Sequence, residues 1–64
     1  MIDYSPLWET MKSRNISTYQ LIEKHHFGKA TIHKLRHNEN VTVITLERLC
    51  QILHCDVSDI VKLS

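Results

Sequence analysis

Residues 17–37 read STYQLIEKHHFGKATIHKLRH and carry the pattern of two short helices joined by a tight turn. Ser17 and Gln20 match the capping box that opens many helices, in which each side chain accepts a hydrogen bond from the other residue's backbone N–H. Leu21 then begins an apolar face. These features predict a helix over about residues 18–25.

The second helix of the pair follows the short connection HHFG. Ile32 and Leu35 lie three residues apart, and Phe27 precedes them as an apolar residue within the connection. A spacing of three or four residues places side chains on one face of a helix. The pattern therefore predicts a helix over about residues 29–37, and with it a helix-turn-helix unit over about residues 18–37.

Three further helices are predicted around this pair. Ser5 is the expected N-cap of the first, followed by proline at the first helical position. Thr42 is the expected N-cap of another, whose apolar residues recur at positions 43, 46, 49, 50 and 53. Asp56 and Asp59, three residues apart, resemble a capping box and are expected to begin the last helix. The predicted helices cover about residues 6–14, 43–53 and 57–62, which makes the fold all-α: one compact five-helix domain over residues 1–64.

The composition agrees with one small globular domain. The chain has 64 residues, of which 42% are hydrophobic and 23% charged, with one Gly and one Pro. So few turn-forming residues disfavour an all-β fold. No apolar run approaches the roughly 18 residues of a membrane span, and no signal peptide is recognisable, so we expect a cytoplasmic protein. Cys50 and Cys55 are then expected to be reduced, partly buried thiols.

Charge is distributed unevenly along the chain. The formal net charge is only +1, yet residues 24–38 contain four Lys or Arg, four His and no acid. Such local asymmetry is typical of a surface that meets a polyanion. The same pattern also fits a helix face that is merely solvated, and the sequence alone leaves this alternative open.

The stretch STYQLIEKHHFGKATIHKLRHNENVTVITLERLCQILHCDVSDIV, residues 17–61, resembles the phage-repressor family of helix-turn-helix domains, the lambda repressor and Cro type, also called xenobiotic-response-element-like. The chain departs from that family's pattern at two positions. Ile22 stands where the family usually has a small residue at the helix crossing, and His26 stands where it usually has glycine. The resemblance is carried by Leu21, by Thr31–Ile32 and Leu35, by Thr45–Leu46, Leu49–Cys50 and Leu53, and by the ending DVSDIV.

The resemblance implies a small transcriptional regulator that binds specific double-stranded DNA with its second helix in the major groove. Base edges are then expected to meet the first exposed residues of that helix and those one turn later. Phosphates are expected near the start of the preceding helix and after the recognition helix. Arg36 is left outside the set, since it can point sideways or pair with Glu39 or Glu47. The expected DNA-binding residues are Thr18, Lys29, Ala30, Thr31, His33, Lys34, His37 and Asn38.

Other functions are weighed against DNA binding. His33 and His37 share a helix face, but two ligands fall short of the three or four that Zn²⁺ requires, so no metal is expected. No cofactor, small-molecule ligand, membrane contact or catalysis is expected of so small a chain. The resemblance also implies a homodimer, through Ile60, Val61 and Leu63. The rival function is a protein-interaction module, an adaptor or one half of a toxin–antitoxin pair. Non-specific coating of nucleic acid is disfavoured by the net charge of +1.

Overall fold

The computed structural model describes all residues 1–64 and contains four α-helices, one 3₁₀ turn and one small sheet. No helix combines the length and the apolar character needed to cross a membrane. In chain order the elements are β1 (Ile2–Asp3), α1 (Ser5–Ser13), α2 (Thr18–His25), α3 (Lys29–Arg36), α4 (Val43–Leu53), the 3₁₀ turn (Val57–Asp59) and β2 (Lys62–Leu63).

The predicted fifth helix is wrong, and the domain has four helices. Residues after the 3₁₀ turn become extended, and β2 pairs antiparallel with β1 in the register Ile2–Leu63 and Asp3–Lys62. The physical reason is that Ile60 is fully buried and its carbonyl accepts a hydrogen bond from Leu7 of α1. This contact directs the following residues to the N-terminal segment, where they gain ladder hydrogen bonds instead of another helical turn.

The helix boundaries at the centre of the chain agree with the predictions, because local caps fix them. Ser17 accepts from the Gln20 N–H and Gln20 accepts from the Ser17 N–H, so the predicted capping box is confirmed. Thr42 caps α4 by accepting from the Thr45 N–H, also as predicted. Ser5 is not an N-cap; it is the first residue of α1, one position earlier than expected.

Tyr4 is the N-cap residue of α1, but its own side chain makes no capping hydrogen bond. The residue before it, Asp3, accepts from the first N–H of the helix instead. The Asp3 carboxylate accepts hydrogen bonds from the backbone N–H and the hydroxyl of Ser5. These bonds, and Lys62 at 3.8 Å across the small sheet, hold the pKa of Asp3 below its usual value. The start of α1 and the β1–β2 pair are therefore tied by one carboxylate.

Ten buried side chains form the core, and every α-helix contributes to it. In α4 the predicted apolar stripe is only partly buried: Leu49 and Leu53 are in the core, whereas Leu46 and Cys50 are half-buried at its margin. Val43 is 79% exposed, because it lies in the first turn of α4, ahead of the turns that pack. No buried side-chain polar atom lacks a hydrogen-bond partner. The core consists of Tyr4, Leu7, Met11, Leu21, Phe27, Ile32, Leu35, Leu49, Leu53 and Ile60.

Every α-helix ends beside a residue in the left-handed conformation, and none of these residues is glycine. Asn15, His26, Asn38 and His54 have φ values of 57°, 59°, 55° and 54°. Asn and His enter this region more readily than most residues. The single Gly28 has φ −72° and needs no such freedom. A nearly glycine-free chain therefore makes four sharp reversals at some conformational cost.

Cys50 and Cys55 are both free thiols of intermediate burial, as expected. They lie on either side of the C-terminal end of α4, where the Cys55 N–H donates to the Cys50 carbonyl at 3.1 Å. Burial, and then the neighbouring Cys50, raises the pKa of the Cys55 thiol. A raised pKa lowers the fraction of reactive thiolate, so Cys55 behaves as a small apolar side chain at the core margin.

Tyr4 fastens the N-terminal segment to the loop after α3. Its side chain is buried, its hydroxyl donates to the Glu39 carbonyl at 2.8 Å, and its backbone N–H donates to the Asn38 side-chain oxygen at 3.0 Å. Burial raises the pKa of the Tyr4 hydroxyl, which keeps it a neutral donor. Tyr4 thus holds the segment that follows α3, although the two are more than 30 residues apart in the chain.

We expect Tyr4→Phe to lower the free energy of unfolding by about 1 kcal/mol, because it deletes one hydrogen bond from a buried ring and keeps the packing. Urea unfolding followed by circular dichroism measures the change. Tyr19→Phe is the matched control, since Tyr19 is 69% exposed and its hydroxyl has no partner in the fold. Equal effects of the two substitutions would contradict the role given to Tyr4.

Candidate nucleic-acid interface

The turn between α2 and α3 is built by two adjacent residues with opposite exposure. His26 is exposed and takes the left-handed conformation, with φ 59° and ψ 32°, at the position where the family resemblance places glycine. Phe27 is only 4% exposed, and its backbone N–H donates to the Leu21 carbonyl at 3.0 Å. The chain reverses at His26 while Phe27 enters the core, and α3 begins at Lys29 as predicted.

Arg48 of α4 secures this turn from outside, a role that the sequence analysis missed. Its guanidinium carbon lies 4.4 Å from the centre of the Phe27 ring. The same guanidinium donates to the His25 carbonyl at the C-terminal end of α2, where the helix dipole favours a cation. Arg48 lies more than 20 residues beyond the turn, so no local sequence signal identifies it.

The helix α3 buries one face and exposes the other. Ile32 and Leu35 are 5% and 0% exposed and pack in the core, as predicted. Thr31 is half-buried at the margin, and its N–H donates to the Gly28 carbonyl. The exposed residues of α3 and its C-cap include five of the expected DNA-binding residues: Lys29, Ala30, His33, Lys34 and His37.

The exposed face of α3 is cationic and its charges are unpaired. The only ion pair of the protein joins Lys62 and Asp3 at the small sheet. Arg36 forms no ion pair with Glu39 or Glu47, the two partners considered from the sequence. Its guanidinium instead donates to the Thr18 hydroxyl oxygen at 3.2 Å. The positive charge on this face is therefore available to an external anion.

A shallow cleft of about 290 Å³ lies between α2 and α3 on this face. Ile22 and Ile32 supply its apolar part. Ile22 is half-buried where the family pattern has a small residue, so its larger side chain reaches this surface as well as the core margin. The polar part of the lining consists of Lys29, His33, Arg36 and His37.

His33 and His37 stack on successive turns, with ring centroids 4.2 Å apart and planes inclined at 41°. No group of three or more His, Cys, Asp or Glu side chains is close enough to hold a metal ion. The two imidazoles instead form a polar edge of the cleft, in which each ring can donate or accept hydrogen bonds.

Thr18 and Asn38 both lie near the C-terminal end of α3. Thr18 is the first residue of α2, half-buried, with its oxygen accepting from Arg36. Asn38 follows α3 directly after His37, which is the C-cap residue and not part of the helix. The Asn38 side-chain oxygen accepts from the Tyr4 N–H, and its amide NH₂ can donate to an external partner.

This geometry defines a helix-turn-helix domain with a cationic, solvent-facing second helix. A family model described as the Cro/C1-type HTH DNA-binding domain matches residues 6–64. The chain belongs to this family of DNA-binding domains. The matched range leaves out residues 1–5, which carry β1 and Tyr4.

A solved structure supports the same assignment. The chain is similar to the transcriptional regulator VanUg in its crystal form II, with a TM-score of 0.87 and 34% sequence identity, over 95% of this chain and 81% of that one. Comparison with curated proteins gives no significant match. The expected resemblance to the lambda repressor and Cro type is thereby confirmed.

The conformation of His26 leads to a test of the turn. We expect His26→Gly to raise the free energy of unfolding by about 0.5–1 kcal/mol, because glycine relieves left-handed strain but has more entropy to lose on folding. His25→Gly, at the last residue of α2, is expected to lower it by up to about 0.5 kcal/mol. Thermal melting of both variants measures the difference, and a loss of stability in both would show that His26 is unstrained.

Proposed function

We propose that the chain, as a single domain over residues 1–64, is a small transcriptional regulator that recognises a specific double-stranded DNA sequence. The observation that carries the proposal is the exposed face of α3, which is cationic, free of acids and free of internal ion pairs. The major groove, about 12 Å wide, admits one α-helix presented in this way. The family assignment supports the same function.

Base recognition is assigned to the exposed residues of α3. Lys29, at the start of the helix, can donate to the O6 and N7 atoms of guanine. Ala30 is small enough for close approach, and its methyl group can contact a thymine methyl. His33 and Lys34, one turn later, face the same groove. Thr31 is assigned to a phosphate or to packing beside Ile32.

Phosphate contacts are assigned to residues at the ends of the two helices. The Thr18 hydroxyl and backbone N–H lie at the positive end of α2, where anions are favoured. His37 and the free amide NH₂ of Asn38 lie where the chain leaves α3. Such contacts hold the protein in register on the duplex, while the base contacts select the sequence.

A homodimer on two half-sites one helical turn apart is part of this proposal. Leu63, 81% exposed in the small sheet, and the half-buried Val61 just before it offer apolar area for such a contact. Ile60, which was also considered for such a surface, is fully buried and contributes to the core instead. The similarity to VanUg, which is a transcriptional regulator, supports a regulatory role here.

The rival function is a protein-interaction module with weak or no specific DNA binding. Val43 and Ile44, which are 79% and 69% exposed at the start of α4, give this alternative an apolar surface. Salt distinguishes the two. DNA binding weakens by about 0.9 log units per phosphate contact for each tenfold rise in salt, whereas apolar association changes little.

We expect selection from a random duplex pool, at about 0.15 M salt with competitor DNA, to enrich one motif. Lys34→Ala should abolish the enrichment, because it removes a groove-facing cation and leaves a good helix former. Lys12→Ala, on α1, removes the same charge elsewhere and should leave it intact. If no motif is enriched, specific DNA recognition is wrong, and partner proteins become the target.

Affinity for DNA is expected to rise as pH falls from about 7.5 to 6, because imidazole takes up protons in this range and phosphate favours the cation. Lys29 and Arg36 line the same cleft as His33 and His37 and add to the positive charge that a phosphate would meet there. Fluorescence anisotropy measures the effect. His33→Ala/His37→Ala should flatten the profile, whereas His54→Asn, at the end of α4, should not.

A further inference from the structure

Arg36 connects the two helices of the helix-turn-helix unit through a side-chain contact. It lies in the last turn of α3, and its guanidinium donates to the hydroxyl oxygen of Thr18, the first residue of α2, at 3.2 Å. The two residues are 18 positions apart in the chain. Their contact places a guanidinium group beside a residue already expected to meet a phosphate.

The guanidinium of Arg36 has no carboxylate partner. Its side chain is exposed, and the single ion pair of the protein lies at the small sheet. A hydroxyl oxygen neutralises none of its charge and uses one of its five N–H donors. The remaining donors are free. An arginine held in place but unpaired is suited to an external anion rather than to internal stabilisation alone.

Arg36 also lies on the side of α3 that faces the proposed groove. It lines the cleft between α2 and α3 together with Lys29, His33 and His37. Three of these four residues are already assigned to DNA. Of the alternatives from the sequence, Arg36 takes the sideways orientation, towards Thr18 of α2, and it remains at the cleft.

We propose that Arg36 and Thr18 together bind one DNA phosphate and form a site that spans both helices. The inference rests on the proposed function and adds to it a phosphate-binding residue, Arg36. The Thr18 oxygen accepts from Arg36, so the hydroxyl hydrogen is free to donate to the phosphate. The guanidinium donates to the same phosphate through its planar fork, which suits bidentate contact.

The site has a structural consequence for recognition. The existing contact orders both side chains before DNA arrives, so less rotamer entropy is lost on binding. It also fixes the phosphate relative to both helices, and thereby the depth of α3 in the groove. Lysine at position 36 would keep the charge without the fork, so the two side chains are not equivalent here.

The test compares wild type with Arg36→Gln by fluorescence anisotropy on the enriched duplex and on a random-sequence duplex of equal length. We expect about tenfold weaker binding at about 50 mM salt, equally on both duplexes, because a phosphate contact carries no sequence information. The salt slope should fall by about 0.9, so that the difference shrinks about 3.5-fold by about 200 mM salt.

Three variants make the result specific. Lys12→Gln removes one positive charge from α1 and should leave the salt slope unchanged. Arg36→Lys should keep the slope but bind more weakly than wild type. Thr18→Val, which removes the hydroxyl with little change of shape, should weaken binding in the wild-type background by a larger factor than in Arg36→Gln, because the two side chains act on one phosphate.

Two outcomes would overturn the inference while leaving the proposed function intact. In one, Arg36→Gln binds like Lys12→Gln. In the other, it lowers the melting temperature, measured by circular dichroism, but keeps the wild-type salt slope, which would make Arg36 a link between helices only. If wild type binds neither duplex at about 50 mM salt, the proposed function and this inference both fail.

Discussion

The burial of Phe27 under Arg48 is the contact on which the rest of the interface depends. Phe27 can enter the core only if the chain reverses at His26, and that reversal fixes where α3 begins. Arg48 covers the ring and holds the carbonyl of the last residue of α2. Because α3 is only eight residues long, its orientation is set at this end and by its own two core residues. The packing of Phe27, Ile32 and Leu35 therefore determines where the exposed cations of α3 lie.

A domain of this size has a small core. Hydrogen bonds between side chains and backbone hold the segments that lie outside it. The ten core side chains lie under the helices, whereas the segment after α3 has little apolar content of its own. Tyr4 supplies the missing anchor, with its ring in the core and two hydrogen bonds to that segment. The N-terminal segment therefore contributes to the shape of the surface proposed to meet DNA, although it is more than 30 residues away along the chain.

The exposed face of α3 is cationic because of where the charges lie in the fold, not because of the net charge of the chain. A net charge of +1 would suggest no affinity for a polyanion. The fold places the acid-free segment on one face and uses the single ion pair elsewhere, between Lys62 and Asp3. The cations around the α2–α3 cleft therefore have no carboxylate partner. Unpaired cations on one face can attract a polyanion from a distance and then contact its phosphates. Local concentration of charge compensates for the small net value.

The sequence by itself determined the two helices of the helix-turn-helix unit, the caps of α2 and α4 at Ser17 and Thr42, and the buried stripe of α3, because these depend on residues within a few positions of one another. It also identified the family. Only the tertiary structure decided the partners of Arg36, Arg48 and Tyr4, and it replaced the expected fifth helix by a 3₁₀ turn and a strand. Each of those outcomes depends on a contact between residues far apart in the chain, and local periodicity carries no information about which distant group will be there.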